Sequence, residues 1–135
     1  MQLVLDTNIV LDLLVFDDPQ VQPLFERLRA GELRWLATAA MREELARVLR
    51  YPQLAGRVSA QRGSEEAVLA DFDRHARLVE PPGPASVSCR DPDDQKFIDL
   101  AVAHRCTLLS KDREVLRLRK HLQKLDVEAC ARWAS

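Results

Sequence analysis

The chain has 135 residues, of which 47% are hydrophobic and 30% are charged, and its formal net charge is −1. This length fits one domain, residues 1–135, and a chain with this much apolar side chain is not expected to stay disordered. The balance of 20 basic and 21 acidic residues argues against a classical DNA-binding module, which usually carries a basic excess. It does not exclude a nuclease, because a metal ion can supply positive charge locally.

The cysteines and the apolar runs bear on the cellular location that is expected for the protein. Cys89, Cys106 and Cys130 are odd in number and contain no Cys-x-x-Cys pair, so neither a disulfide framework nor a structural zinc site is expected. No apolar run reaches the length of a membrane span, and no signal-peptide pattern is visible. We therefore expect a cytoplasmic protein that has no membrane partner.

In chain order, the first half predicts two strands that are each followed by helices. Residues 3–5 form a short apolar strand that stops at Asp6, and a helical pattern follows up to residue 14. A second helix is predicted from Pro19 to Gly31. Residues 33–37 predict the second strand, and Thr38 is typical of a residue that begins a helix, here one that ends before Pro52.

The second half repeats this alternation less regularly. Residues 53–76 are mostly helical in pattern with a break near Gly63, and a weak third strand is predicted at 78–79. A helix is expected to start within 91–94, a clear strand covers 107–109, and another helix follows Asp112. We place a final edge strand at 125–127, with a short helix to the end. Such alternation predicts parallel strands joined by right-handed crossovers, with helices on both faces of the sheet.

The acidic residues fall at informative places in this pattern. Asp6 follows the first strand, and Asp112 lies just past the strand at 107–109. Asp94 lies in the first turn of its helix, and Glu44 lies in the helix after the second strand. Ligands of open α/β sheets bind outside the carboxyl ends of the strands. We therefore expect these four carboxylates to meet at that edge.

Carboxylates that share a pocket repel one another, and a divalent cation removes the repulsion. Ligands that offer only oxygen suit hard ions such as Mg²⁺ or Mn²⁺, and such an ion can bind phosphate, activate a water and stabilise a leaving oxygen. That chemistry fits phosphodiester hydrolysis. The alternative is that Asp94 and Asp112 only cap helices and that Glu44 is a solvated helix residue.

Four segments in order resemble the PIN-domain family, and the resemblance runs over nearly the whole chain. They are Leu3-Val4-Leu5-Asp6-Thr7-Asn8, Arg42-Glu43-Glu44-Leu45, Asp91-Pro92-Asp93-Asp94 with Phe97-Ile98, and Leu109-Ser110-Lys111-Asp112. The chain is most similar to the prokaryotic branch often described as toxin components of toxin–antitoxin pairs. The resemblance implies a three-layer α/β/α sandwich with a central parallel sheet, and Mg²⁺- or Mn²⁺-dependent cleavage of single-stranded RNA.

The resemblance also assigns roles to individual residues. It implies that Asp6, Glu44 and Asp94 are the three core acids and that Asp112 is the fourth, all of them catalytic metal ligands. Asn8 and Ser110 match the small polar residues that accompany the first and fourth acids.

Several residues near these acids have more than one possible role in the expected metal site. Glu43 competes with Glu44, and Glu44 is preferred because it directly precedes Leu45. Members of the branch often carry a further acid after the match to Asp94, where this chain has Gln95, which would weaken a second metal site. Asp91 and its neighbour at 93 could extend the site, but we favour a role in the turn before the helix.

The function expected from the sequence is that of an endoribonuclease, the toxin of a toxin–antitoxin pair. Its expected partners are single-stranded RNA, a cognate antitoxin protein and a second copy in a homodimer. One alternative is a non-catalytic PIN-like module that binds RNA or protein. Another is a phosphatase with a covalent aspartyl intermediate, and Asn8 counts against it because that chemistry typically uses Asp-x-Asp after the first strand.

Overall fold

The structure is a computed structural model and describes residues 1–133. Within these residues, five strands and eight α-helices follow one another along the chain. In order they are β1 (Gln2–Leu5), α1 (Thr7–Leu14), α2 (Gln22–Arg29), β2 (Arg34–Ala37), α3 (Ala39–Leu49), α4 (Pro52–Arg62), α5 (Glu65–His75), β3 (Ala76–Leu78), α6 (Gln95–His104), β4 (Thr107–Leu109), α7 (Arg113–Leu116), α8 (Arg119–Gln123) and β5 (Ala129–Cys130). Short 3-10 turns at Pro19–Val21 and Pro92–Asp94 lead into α2 and α6.

All five strands are parallel, in the order β3-β2-β1-β4-β5, and helices flank the sheet. The predicted α/β/α sandwich with a parallel sheet is therefore confirmed. At the centre of the sheet, Val4 of β1 aligns with Leu36 of β2 and with Leu108 of β4, and all three side chains are buried. A run of apolar residues on a strand is stable here because both faces of a parallel sheet are covered.

The helices cover the sheet with large apolar side chains. Phe97 and Ile98 of α6 are completely buried, and Phe72 of α5 packs edge-to-face on Trp35 of β2 with ring centroids 5.0 Å apart. Each such side chain contributes about 2–3 kcal/mol through removal of apolar surface from water. This packing holds the strands in place, and with them the residues that follow their carboxyl ends.

The strand order creates a switch point between β1 and β4. From β1 the chain proceeds outward through β2 to β3, and it then returns to place β4 and β5 on the other side of β1. The crevice outside the carboxyl ends of two such strands is where α/β sheets bind ligands. Asp6 and Ser110 directly follow these two strands.

The end of the chain departs from the sequence prediction. The final edge strand lies at Ala129–Cys130 and not at residues 125–127, and residues 124–126 form the turn after α8. In that turn Asp126 has a φ of 63°, and the Val127 N–H donates to Leu122 O over 2.9 Å, so the helix end is closed by backbone bonds. The helix predicted for the end is not formed over 131–133, and its last two residues lie outside the described ones.

None of the helices in residues 1–133 is both long and apolar enough to cross a membrane.

Candidate metal centre

Asp6 is held at the edge of the sheet by the backbone on both sides of it. Its N–H donates to Leu109 O over 2.9 Å and continues the ladder between β1 and β4. Its carbonyl accepts from the Ile9 and Val10 amides and so begins α1. The side chain is 4% exposed, and Oδ2 accepts a hydrogen bond of 2.6 Å from Ser110 Oγ. The position of the Asp6 carboxylate is therefore set by the central strand and its neighbour.

Ser110 connects Asp6 to Asp112. The Ser110 side chain is completely buried, and its Oγ accepts from the Asp112 N–H over 3.1 Å while it donates to Asp6. Asp112 precedes α7, and its Oδ1 accepts from the Glu114 N–H over 2.8 Å. One carboxylate oxygen of Asp112 thus caps a helix, as the capping alternative predicted. The cap also fixes the direction of the side chain.

Asp91 and Asp94 also lie close to Asp112. Each of these three residues offers a carboxylate oxygen within 4.8 Å of the others. Asp91 caps the 3-10 turn by accepting from the Asp93 N–H over 3.0 Å, and Asp94 is the last residue of that turn. The described residues form no salt bridge with Asp6 or with any member of this group.

Asp94 is the least well satisfied of these acids. It is 7% exposed, and its buried Oδ2 has no hydrogen-bond partner among residues 1–133. Burial raises the pKa of Asp94 to about 7, and the negative charges of Asp6 and Asp112 and a hydrogen bond from the protonated Asp94 carboxyl to Asp112 add to the rise. Burial also raises the pKa of Asp6, against the effect of the Ser110 hydrogen bond. Buried carboxyl oxygens are normally hydrogen-bonded, so the Asp94 Oδ2 atom is available as a ligand for a cation.

The donor set fits a hard divalent cation. Every side chain in the group offers carboxylate oxygen, which Mg²⁺ and Mn²⁺ prefer over nitrogen and sulfur. A cation beside Asp94 would satisfy its buried oxygen and offset the repulsion that raises its pKa. The residues present therefore match the metal expected from the sequence.

Glu44 lies beside this group but has other partners. Its Oε1 accepts from the Thr7 hydroxyl, and its Oε2 accepts from Lys96 Nζ over 2.7 Å. The carboxylate thus contacts the residue after Asp6 and a residue in the first turn of α6. Its neighbour Glu43 is exposed. The structure thus groups Asp94 and Asp112 with Asp91, joins Asp6 to Asp112 through Ser110, and holds Glu44 in a salt bridge with Lys96.

The remaining residues singled out from the sequence have simpler positions. Asn8 is exposed in the first turn of α1, whereas Ser110 is buried between two acids. Sequence reasoning favoured a turn role for Asp91, and the structure shows that role together with membership of the three-acid group. It did not single out Lys96. The available signal was its place in the first helical turn after Asp94, from which a side chain points back toward the helix start.

Comparison with protein-family models matches residues 2–114 to the family described as PIN domain. The matched segment begins at β1 and ends within α7, so it includes all four acids that were singled out from the sequence. Comparison with curated proteins and with solved structures gives no match.

Proposed function

Because the chain belongs to the PIN-domain family, whose fold is of nuclease type, we propose that it is a metal-dependent endoribonuclease that hydrolyses phosphodiester bonds of single-stranded RNA. One observation carries this proposal. Asp94 Oδ2 is buried without a hydrogen-bond partner among the described residues, and the carboxylates around it form no salt bridge with a basic side chain of those residues. Such an arrangement is costly for a protein that binds no cation there.

The acids have distinct roles in the proposed site. Asp6, Asp94 and Asp112 hold one Mg²⁺ or Mn²⁺ ion, and Glu44 lies on the α3 side of the site in its salt bridge with Lys96. A bound ion supplies Lewis acidity toward a phosphate oxygen and favours ionisation of the water that attacks phosphorus. Ser110 keeps the Asp6 carboxylate in place, and the Glu114 amide does the same for Asp112. No side chain needs to act as a nucleophile.

Exposed basic residues beside Asp112 support RNA as the substrate. The exposed residues of α7, α8 and the turn between them include Arg113, Arg117, Arg119 and Lys120. Contacts from such residues to backbone phosphates supply most of the affinity for nucleic acid and depend strongly on salt. The preference for single-stranded RNA over DNA follows from the family resemblance. The same resemblance supports a role as the toxin of a toxin–antitoxin pair, with a cognate antitoxin and a homodimer as partners.

The test is cleavage of end-labelled single-stranded RNA in Mn²⁺ or Mg²⁺, with single-stranded DNA and duplex RNA in parallel. We expect internal cuts in the single-stranded RNA, loss of cleavage in EDTA, and loss in Asp6→Asn, which keeps the side-chain shape but removes one charge. Cleavage that survives EDTA, or equal cleavage by Asp6→Asn, would contradict the proposal. RNA binding without cleavage would favour the non-catalytic module.

A further inference from the structure

Lys96 and Glu44 form a charged pair that borders the proposed metal centre, and the proposed function gives this pair no role. We propose that the Lys96 ammonium occupies the place of a second divalent cation, so that this chain binds one metal ion. This inference rests on the proposed metal-dependent function and concerns the number of ions that the site holds.

Lys96 is fixed in position, unlike an ordinary surface lysine. Its Nζ donates to Glu44 Oε2 over 2.7 Å and to the Asp93 carbonyl over 2.5 Å. It also lies 4.9 Å from the centroid of the Phe97 ring. Only 25% of the side chain is exposed. These three contacts hold the ammonium group between α3 and the start of α6. They outweigh the side-chain conformational entropy that a lysine loses when it is held in one place.

Both oxygens of Glu44 are engaged. The Thr7 hydroxyl donates to one and Lys96 donates to the other, while 13% of the Glu44 side chain is exposed. A divalent ion that used Glu44 would have to displace Lys96 from a salt bridge that is largely removed from water. Breaking such a pair leaves the Glu44 carboxylate without a compensating charge. Glu44 is therefore neutralised by the chain itself.

The residue after Asp94 provides no alternative ligand for a second ion. Gln95 is neutral, and both ends of its amide are bonded to nearby residues. Its Oε1 accepts from the Cys89 N–H over 2.6 Å, and its Nε2 donates to Val87 O and Asp99 Oδ1. The side chain ties α6 to the loop that precedes it. Coordination by Gln95 would break that attachment.

The acids at this edge therefore fall into two sets. Asp6, Asp91, Asp94 and Asp112 form no salt bridge with the described residues, and this set includes the orphaned oxygen of Asp94. Glu44 already has a cation at hydrogen-bond distance. A divalent ion gains most where negative charge is uncompensated, and a second ion near Lys96 would meet like-charge repulsion. One ion bound by the first set would contact the orphaned oxygen of Asp94, while Lys96 already neutralises Glu44.

The experiment counts Mn²⁺ ions by calorimetric titration and by electron paramagnetic resonance of free Mn²⁺. We expect one ion for the wild type and two for Lys96→Met, which keeps the chain length of the side chain but removes its charge. Lys111→Met is the matched control. Lys111 lies beside Asp112 and pairs with Asp12 over 2.5 Å, so its loss removes a charge without freeing Glu44. This control should still bind one ion.

Glu44→Gln gives a reading that does not depend on the folding of Lys96→Met. We expect it to bind one ion with affinity lowered less than about tenfold, whereas Asp94→Asn should lose on the order of 100-fold. Two ions in the wild type, one ion in folded Lys96→Met, or loss of the ion in Glu44→Gln would overturn the inference. Absence of any ion in the wild type would instead overturn the proposed function as well.

Discussion

Carboxylates occur in two contrasting settings in this molecule. On the outer helices, the Arg42 guanidinium donates to both oxygens of Asp73 over 2.7 and 2.8 Å, and Arg50 pairs with Glu65. The hydrogen bonds from these arginines lower the pKa of Asp73 and of Glu65. At the carboxyl edge of the sheet, burial and neighbouring acids raise the pKa of Asp94 instead.

The contrast separates acids that serve the fold from acids that serve a ligand. Asp73 and Glu65 are each paired with an arginine of the same chain. Both pairs lie at the surface, where an ion pair adds little to the free energy of unfolding. Asp94 is buried among like charges, which lowers the stability of the metal-free protein. Stability is commonly sacrificed at sites that function requires, so the edge acids are the ones whose loss should affect chemistry.

The largest expected effect comes from Asp94→Asn compared with Asp73→Asn. Both changes remove one carboxylate charge and keep the side-chain size. Asp94→Asn should lower the rate of RNA cleavage by about 1,000-fold or more, because it removes a proposed ligand from the reacting centre. Asp73→Asn should stay within about twofold of the wild type. Cleavage is measured under single-turnover conditions at saturating Mn²⁺, and a similar loss in both variants would erase the contrast.

The second effect is stabilisation by metal. An ion that binds only the folded chain, at 100 times its dissociation constant, adds about 2.7 kcal/mol to the unfolding free energy. For a domain of this size the melting temperature should rise by about 10 °C. Asp73→Asn should show the same rise, and Asp94→Asn should show little at the same Mn²⁺ concentration. Calorimetric melts in EDTA and in Mn²⁺ measure the shift, and an unchanged wild-type melting temperature would contradict the site.

The third effect is the dependence of metal-free stability on pH. The folded-state pKa of Asp94, about 7, lies above its ordinary value, so the folded chain binds that proton more tightly than the unfolded chain does. The resulting stability is fully present below the ordinary value and is lost as pH rises through 7. Between pH 5 and 8 in EDTA, the wild type should lose about 2 kcal/mol relative to Asp94→Asn. Urea unfolding at each pH measures this difference, and parallel curves would contradict it.

The sequence predicted the parts of this contrast that depend on local pattern. Apolar runs ending at Asp6 and before Ser110 identify strands, and the parallel topology then brings their carboxyl ends to one edge. Pairing across the fold has no such signature. Glu44 and Lys96 are 52 positions apart, so only the packing of α3 against the start of α6 shows that they meet. For the same reason the sequence favoured a turn role for Asp91 over a place in the metal site, because capping is local and the three-acid group is not.

The end of the chain shows a different limit of sequence reasoning. Residues 125–127 combine apolar side chains with alternation and so resemble a short strand. Asp126 nevertheless adopts a left-handed conformation, which aspartate tolerates better than most residues, and the turn that it forms delays the strand to Ala129. Val127 is buried beneath that turn, which explains the apolar pattern without a strand. Burial alone therefore does not distinguish a turn that packs on the core from an edge strand.

The smallest expected effect is that of the Arg42–Asp73 pair itself, and it tests whether outer acids serve only the fold. The pair joins α3 to α5 with two parallel hydrogen bonds, but the two side chains are 36% and 48% exposed. A double-mutant cycle with Arg42→Met and Asp73→Asn should give a coupling of about 0.3–0.8 kcal/mol in urea unfolding. The coupling should shrink in 1 M salt, because exposed charges are screened over a few ångströms there. Neither variant should change Mn²⁺ affinity. A coupling above about 2 kcal/mol would contradict the prediction that this exposed pair adds little to stability. A loss of Mn²⁺ affinity in Arg42→Met would show that the pair affects the metal site through α3, and the acids of the outer helices would then not serve the fold alone.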